Sequence, residues 1–218
     1  MARSRYIWVY DVRMETSFAC AECGQELSLR VRADAIYCST RCRVQSHRKP
    51  FPQELTDRRR WIRYSRSKIP LTIWDDFAKV NDLSTWNFYE FAKQSKAGVG
   101  MGFVFNGDGI IGIDLDNAFA NGKLKDWAQA IVDVFADTYM ELSPSGNGIH
   151  IIAKAELFSG RRFAIADGGI EIYATGRYFT MTGKRFNRSP KKLKKFNDPV
   201  SSVMNIIDSV NLSGAINS

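Results

Sequence analysis

Ile110-Ile111-Gly112-Ile113-Asp114-Leu115-Asp116 decides how the rest of the chain is read. The run is apolar until its end, where two carboxylates flank one leucine. Alternate side chains of a strand share a face, so Asp114 and Asp116 point one way and Leu115 the other. Two carboxylates held this close repel unless a cation lies between them, and hard oxygen ligands favour Mg²⁺ or Mn²⁺. Alone the pair is a weak signal, because aspartates at strand ends commonly cap turns. Its weight comes from two segments further along the chain.

In the first, Ser143-Pro144-Ser145-Gly146-Asn147-Gly148-Ile149-His150, a small-residue turn leads into an apolar strand. Glycines flanking Asn147 allow close approach of backbone N–H groups to an anion, and Ser145 and Asn147 add side-chain donors, although all four residues also suit an ordinary turn. In the second, a third carboxylate, Glu171, sits between Ile170 and Ile172, ahead of Arg177-Tyr178-Phe-Thr-Met-Thr-Gly183. An apolar sheet carrying Asp, Asp, Glu and His is costly unless metal and substrate compensate the polar groups. Tyr173 and Tyr178, with polar tips, are candidates for nucleotide contact, whereas Trp61, Trp86, Trp127 and Phe179 read as core.

In this order, Asp-x-Asp, a small-residue turn ending in x-His, and a hydrophobic-Glu step before Arg-Tyr-Phe-Thr-x-Thr-Gly, the chain resembles the bifunctional primase–polymerase (PrimPol) branch of the archaeo-eukaryotic primase superfamily. Trp61, Lys68-Ile-Pro70, Thr85-Trp86 and Gly100-Met-Gly-Phe-Val-Phe extend the likeness to about residues 60–185. The resemblance implies an α+β fold, primase-like and RRM-related, with mixed sheets and packed helices; the small zinc finger expected before it, read from the cysteines below, is a departure from many relatives. It implies primer synthesis on a single-stranded DNA template from NTP or dNTP by two-metal nucleotidyl transfer, in phage, plasmid or mobile-element replication. Asp114, Asp116 and Glu171 would then hold Mg²⁺ or Mn²⁺. His150 would contact the nucleotide phosphate with Gly148 in the motif's small position, and Arg177 would meet phosphate or template. Since relatives often carry a fused helicase segment that this chain lacks, a replicative helicase is expected as a separate partner.

The chain of 218 residues, 44% hydrophobic, suffices for one domain and a small module. No signal-peptide h-region or membrane-length apolar run is evident, so a cytoplasmic location is expected. Of the net charge of +8, all arises in residues 1–69; residues 70–176 hold 8 basic against 14 acidic side chains, and 177–195 hold 8 basic and none acidic. An acidic, cation-collecting middle is bracketed by basic segments suited to a phosphate backbone, with Arg58-Arg59-Arg60 and Lys191, Lys192, Lys194 and Lys195 as candidate nucleic-acid contacts.

Cys20-x-x-Cys23 and Cys38-x3-Cys42, around a strand-like 26–32 and before a basic helical run, resemble a treble-clef finger binding Zn²⁺. His47 is a spare ligand or a DNA contact. Lys49-Pro-Phe-Pro52 reads as a linker, dividing a zinc-binding module and linker (1–52) from a catalytic domain (53–218). Within the latter, the pattern predicts a helix over 84–96, a hairpin of 101–105 with 110–115 around Asn106-Gly-Asp-Gly109, and a helix over 123–136. Strands are expected near 138–142, 148–154, 169–173 and 178–182, with a C-terminal helix after Asn197-Asp198-Pro199.

Two other classes compete. A metal-dependent nuclease would use the same acids and histidine without a triphosphate site. A non-catalytic, zinc-dependent DNA-binding replication initiator would leave the clustered acids unexplained.

Overall fold

The computed structural model describes residues 27, 35, 37–47, 50–157, 159–165 and 167–216. Contacts divide the chain into two units, 1–49 and 50–218. In the first, α1 (Thr40–His47) starts where the Ser39 hydroxyl accepts the Cys42 N–H at 3.2 Å. That is N-cap chemistry. Cys20, Cys23, nearly all of the expected strand 26–32 and the His47 side chain lie outside the described residues.

The second unit opens with α2 (Gln53–Thr56), followed by β1 (Trp61–Tyr64), β2 (Pro70–Leu71), α3 (Tyr89–Gln94), β3 (Gly100–Asn106), β4 (Ile110–Asp116), β5 (Phe119–Ala120), β6 (Lys123–Leu124) and α4 (Asp126–Val134). Then come β7 (Tyr139–Leu142), β8 (Ile149–Lys154), β9 (Arg161–Ile165), β10 (Gly168–Tyr173), β11 (Thr175–Met181) and α5 (Pro199–Ile216). One sheet has the order β11-β3-β1-β2, a second β7-β8-β4-β10-β9, and β5-β6 is a small ribbon. The result is an α+β architecture.

The continuous apolar run of β4 is explained by burial on both faces. Ile111, Ile113 and Leu115 pack with Trp127, Ile131 and Phe135 around α4 and with Val203 and Ile207 of α5. On the other face Ile110 joins a core shared by both sheets, with Phe103, Phe105, Tyr139, Ile152, Phe179 and Met181. The predicted stripe Val200, Val203, Ile206, Ile207 and Val210 packs on the first core, and Asp198 caps that helix through the Ser201 N–H at 2.9 Å. Trp61, Trp86, Trp127 and Phe179 are buried, as read from the sequence.

Four expectations need correction. The residues 101–105 and 110–115 form no hairpin: β3 pairs with β1 and β11, and β4 with β8 and β10, so Asn106-Gly-Asp-Gly109 carries the chain from one sheet to the other. The expected mixed sheets are antiparallel in every named strand pair; the parallel pairing among the described residues is the bridge Lys154↔Lys195. The helix over 84–96 shrinks to α3, preceded by a 3₁₀ turn (Leu83–Thr85), because Asn87 bridges to Trp61 and the Trp86 indole donates to the Lys79 carbonyl. Finally, Phe51 is no linker residue. It is buried against Trp61, Tyr89 and Tyr139.

Candidate active site

The register of the five-stranded sheet places one polar residue from each strand in a single transverse row. Glu141 pairs with His150, His150 with Asp114, Asp114 with Glu171, and Glu171 with Arg162. Directly paired residues share a face, and this row lies on the face turned to the four-stranded sheet. Asp116, two positions beyond Asp114, shares that face and is exposed. Four of the acids and bases singled out in the sequence are therefore brought together: Asp114, Asp116, Glu171 and His150.

His150 is 4% exposed and stacks on Phe179 with ring centroids 4.7 Å apart. Phe179 reaches it because Gly112 lies beneath: a Cβ there would stand 2.5 Å from the Phe179 ring. The Nε2 atom of His150 is 3.7 Å from Asp114 Oδ1, and its Nδ1 is 3.5 Å from Glu141 Oε1. Both contacts are longer than a good hydrogen bond.

Glu141 and Arg162 are the residues of this row that the sequence reading did not single out. Glu141 is fully buried, and its carboxylate accepts the Thr182 N–H at 2.9 Å, the Gly183 N–H at 2.8 Å and the Tyr139 hydroxyl at 2.8 Å. Burial, with Glu141 alongside, pushes the Tyr139 hydroxyl far above its ordinary range. The Thr-x-Thr-Gly segment thus serves as the anchor of a carboxylate that faces the histidine.

Asp114 Oδ1 is buried with no hydrogen-bond partner. Burial pushes the Asp114 carboxyl up to about 6; His150 and Lys68 oppose this, and Asp116 and Glu171 add to it. An orphaned, desolvated carboxylate oxygen beside two further carboxylates is the donor set of a hard cation, so these residues fit Mg²⁺ or Mn²⁺. Glu171 is engaged on both oxygens: Arg162 Nε lies 2.9 Å from Oε1, and the Tyr173 hydroxyl donates to Oε2 at 2.6 Å. Accordingly, among the described residues no three acidic, imidazole or thiol groups converge as a closed ligand set.

The turn Ser145–Gly148 lies beside this row but spends its donors internally. Gly146 N–H goes to the Ser143 carbonyl, Asn147 N–H to the Ser145 hydroxyl, and the Asn147 amide to Asn117 Oδ1 at 2.8 Å. The expected phosphate cradle therefore lacks those two N–H groups. Gly148 has a separate role: a Cβ there would stand 2.7 Å from the Leu115 carbonyl, so glycine lets β8 approach β4. Arg177 is exposed with its guanidinium 5.2 Å from the Tyr173 ring centre, at the Glu171 end of the row. The Tyr178 hydroxyl is committed to the Lys68 carbonyl at 2.6 Å.

Of the basic candidates, Arg60 is buried and, like Arg58, pairs with Asp108, while its guanidinium lies over Phe103. Arg59 donates to the Trp86 carbonyl at 3.2 Å. Arg60 is thus a structural residue, not a nucleic-acid contact. Lys191, Lys192, Lys194 and Lys195 are exposed, with Lys194 2.6 Å from Asp137. In the first unit, Cys38 and Cys42 are half-buried with sulfurs 3.5 Å apart, close to the ~3.8 Å spanned by two Zn–S bonds of 2.3 Å at a tetrahedral centre. They fit a zinc half-site.

No protein-family model matches the chain. A DNA primase-polymerase of Nitratiruptor phage NrS-1 is 35% identical over 94 residues. The match covers 40% of this chain and 13% of the phage protein, so the chain spans a small part of that relative's length. No helix among the described residues is long and apolar enough to cross a membrane. Over the matched segment, this chain is similar to a phage primase–polymerase.

Proposed function

We propose that this protein is a nucleotidyltransferase that synthesises primers on single-stranded DNA from nucleoside triphosphates, in the manner of a primase–polymerase. The observation that carries the reading is the transverse row Glu141–His150–Asp114–Glu171 with Asp116 beside it, since no packing need explains four acids and a buried imidazole on one sheet face. The partial likeness to the phage primase-polymerase supports it.

Asp114, Asp116 and Glu171 would hold the divalent ions, which when bound lower the pKa of an attacking 3′-hydroxyl and neutralise the leaving pyrophosphate. The protein's own part is positioning. His150, stacked on Phe179 and faced by Glu141, presents Nε2 beside Asp114 to a phosphate oxygen. Arg162 and Arg177, both exposed near Glu171, supply cations to the triphosphate, and Arg162 can leave Glu171 when a metal takes its place. The cysteine module would fold on Zn²⁺ and grip template or the initiating nucleotide.

The test is synthesis on single-stranded DNA with Mg²⁺ or Mn²⁺, with NTPs and dNTPs supplied separately, with and without a primer, beside the Asp114→Ala/Asp116→Ala protein. Products made without a primer and absent from the double variant are expected. Template cleavage in place of synthesis would establish the nuclease reading. A folded, metal-loaded protein that binds DNA but makes no product on any template would favour the non-catalytic initiator.

A further inference from the structure

Two large aromatic side chains stand out of the second unit within four residues of each other: Trp74 is 69% and Phe77 74% exposed. They are not on a slack loop. Thr72 N–H reaches the Asp76 carbonyl at 2.8 Å, and the Thr72 hydroxyl accepts the N–H groups of Trp74 and Asp76. The Ser95 hydroxyl donates to the Ile73 carbonyl at 2.6 Å, and Asp75 Oδ1 accepts the Gly98 N–H at 3.1 Å. Ile73 packs on the core between the sheets, and Phe77 bridges to Leu71. Asp75 keeps a left-handed backbone with φ 74°, a conformation aspartate adopts in tight turns where its side chain is hydrogen-bonded. The fold thus fixes two apolar faces toward solvent, against the burial both rings would otherwise seek.

The chain that brackets this turn carries exposed cations: Arg66 and Lys68 before Pro70, Lys79 after Ala78, and Lys96 before Gly98. Pro70 and Ala78 are joined by a hydrogen bond, and Gly98 is bonded to Asp75, so the segments that carry these cations flank the turn in space as well as in sequence, while Asp75 and Asp76 lie between the two rings. The β1–β2 hairpin also reaches toward the acidic row, because the Lys68 carbonyl accepts the Tyr178 hydroxyl at 2.6 Å and the next residue, Phe179, stacks on His150.

From this we infer that Trp74 and Phe77 form a stacking platform for unpaired bases of single-stranded DNA, with Arg66, Lys68, Lys79 and Lys96 following its phosphates. Every base offers a π-face when unpaired, and a duplex hides it, so the surface selects single strands without reading sequence. It would lead the template toward the acidic row, and in that respect the inference rests on the function proposed above.

The experiment measures binding of a fluorescein-labelled 20-mer oligo(dT) to the full chain by anisotropy across a salt series. The proteins compared are wild type, Trp74→Ala, Phe77→Ala, the double variant, Trp74→Phe and Asp114→Asn. Each alanine variant should weaken binding about tenfold, with the double variant weaker still and Trp74→Phe retaining most of the affinity. The salt slope should stay unchanged, because no phosphate contact is removed, whereas Lys68→Ala/Lys96→Ala should flatten it. Both aromatics are exposed, so melting temperatures should hold and the variants remain interpretable. Wild-type affinity in the folded double variant overturns the inference. So does a wild-type protein whose concentration-dependent self-association disappears in the double variant while oligonucleotide affinity is kept, since the patch then contacts a second copy. If primer synthesis fails but binding still depends on Trp74 and Phe77, only the catalytic reading falls.

Discussion

Glu141 and His150 stand opposite each other on neighbouring strands, and the buried carboxylate of one faces Nδ1 of the other at 3.5 Å. Two backbone N–H groups and a tyrosine hydroxyl hold that carboxylate in place. At that distance His150 Nδ1 has no hydrogen-bond partner, so the carboxylate acts on the imidazole through its charge, while the far nitrogen is turned to Asp114.

Glu141→Gln should therefore separate folding from function. The amide keeps one acceptor but sets its N–H₂ against either the Thr182 N–H, which Oε1 accepts, or the Gly183 N–H, which Oε2 accepts, at a cost of about 2 kcal/mol. The variant is expected to fold with a lowered melting temperature and normal Mn²⁺ binding, while KM for the nucleotide rises about tenfold or more. Unchanged nucleotide kinetics in the folded variant would mean that Glu141 only braces the 182–185 segment.

Why this residue escaped the sequence reading is instructive. In Tyr139-Met140-Glu141-Leu142 the period of two assigns Met140 and Leu142 to the core and Glu141 to water. That logic assumes one solvated face, and here both faces of the sheet are covered. The strands, α4, α5 and the Asp114, Asp116, His150 and Glu171 set were legible because their signals are local. The hairpin error has the opposite origin: Asn-Gly-Asp-Gly is a strong turn signal, but whether the flanking strands pair is decided by β1, β11, β8 and β10, which lie far away in sequence. The exposure of Trp74 and Phe77 was equally invisible, since apolar residues in a short segment read as core.

Asp114 gives the protein a pH signature. Its carboxyl is raised from 3.8 to about 6, so between these values the metal-free folded state binds more protons than the unfolded one, and stability falls as pH rises. The metal-free protein should gain on the order of 2 kcal/mol from this group on acidification from pH 7 to pH 4. Asp114→Asn should melt higher than wild type at pH 7.5 without metal and lose the stabilisation that Mn²⁺ gives wild type. Because the metal needs the ionised carboxylate, Mn²⁺ affinity should drop below about pH 6, readable by calorimetry. A metal-free melting curve for Asp114→Asn that coincides with wild type from pH 4 to 8 would contradict the origin given for the shift.

Under the proposed function, Arg162 would compete with a metal for Glu171. The pair is open to water on the arginine side, which is 79% exposed, so it is worth less than about 1 kcal/mol. Arg162→Ala should tighten Mn²⁺ binding by no more than about fivefold, and it should weaken triphosphate binding in the presence of metal if the guanidinium moves to the phosphates. Titration of Mn²⁺ followed by nucleotide measures both.

Arg60 and the Lys191–Lys195 cluster were read alike from the sequence, yet the structure separates them. Burial lowers the affinity of the Arg60 guanidinium for its proton, and Asp108 compensates. Asp108→Ala leaves that buried charge without its carboxylate and should cost about 3 kcal/mol, lowering the melting temperature by roughly 8 °C for a unit of this size. Arg60→Met, which removes charge and keeps volume, should be milder. Neither change should alter the salt dependence of oligonucleotide binding by more than the share of Arg58, which also rests on Asp108. Lys192→Ala/Lys195→Ala should do the reverse. Stability is kept because both side chains are exposed, and the slope of log K against log salt falls by about 1.4 for two lost phosphate contacts on a single strand. A double lysine variant with an unaltered slope would remove this cluster from the DNA path and leave the cations around Trp74 and Phe77 to carry it.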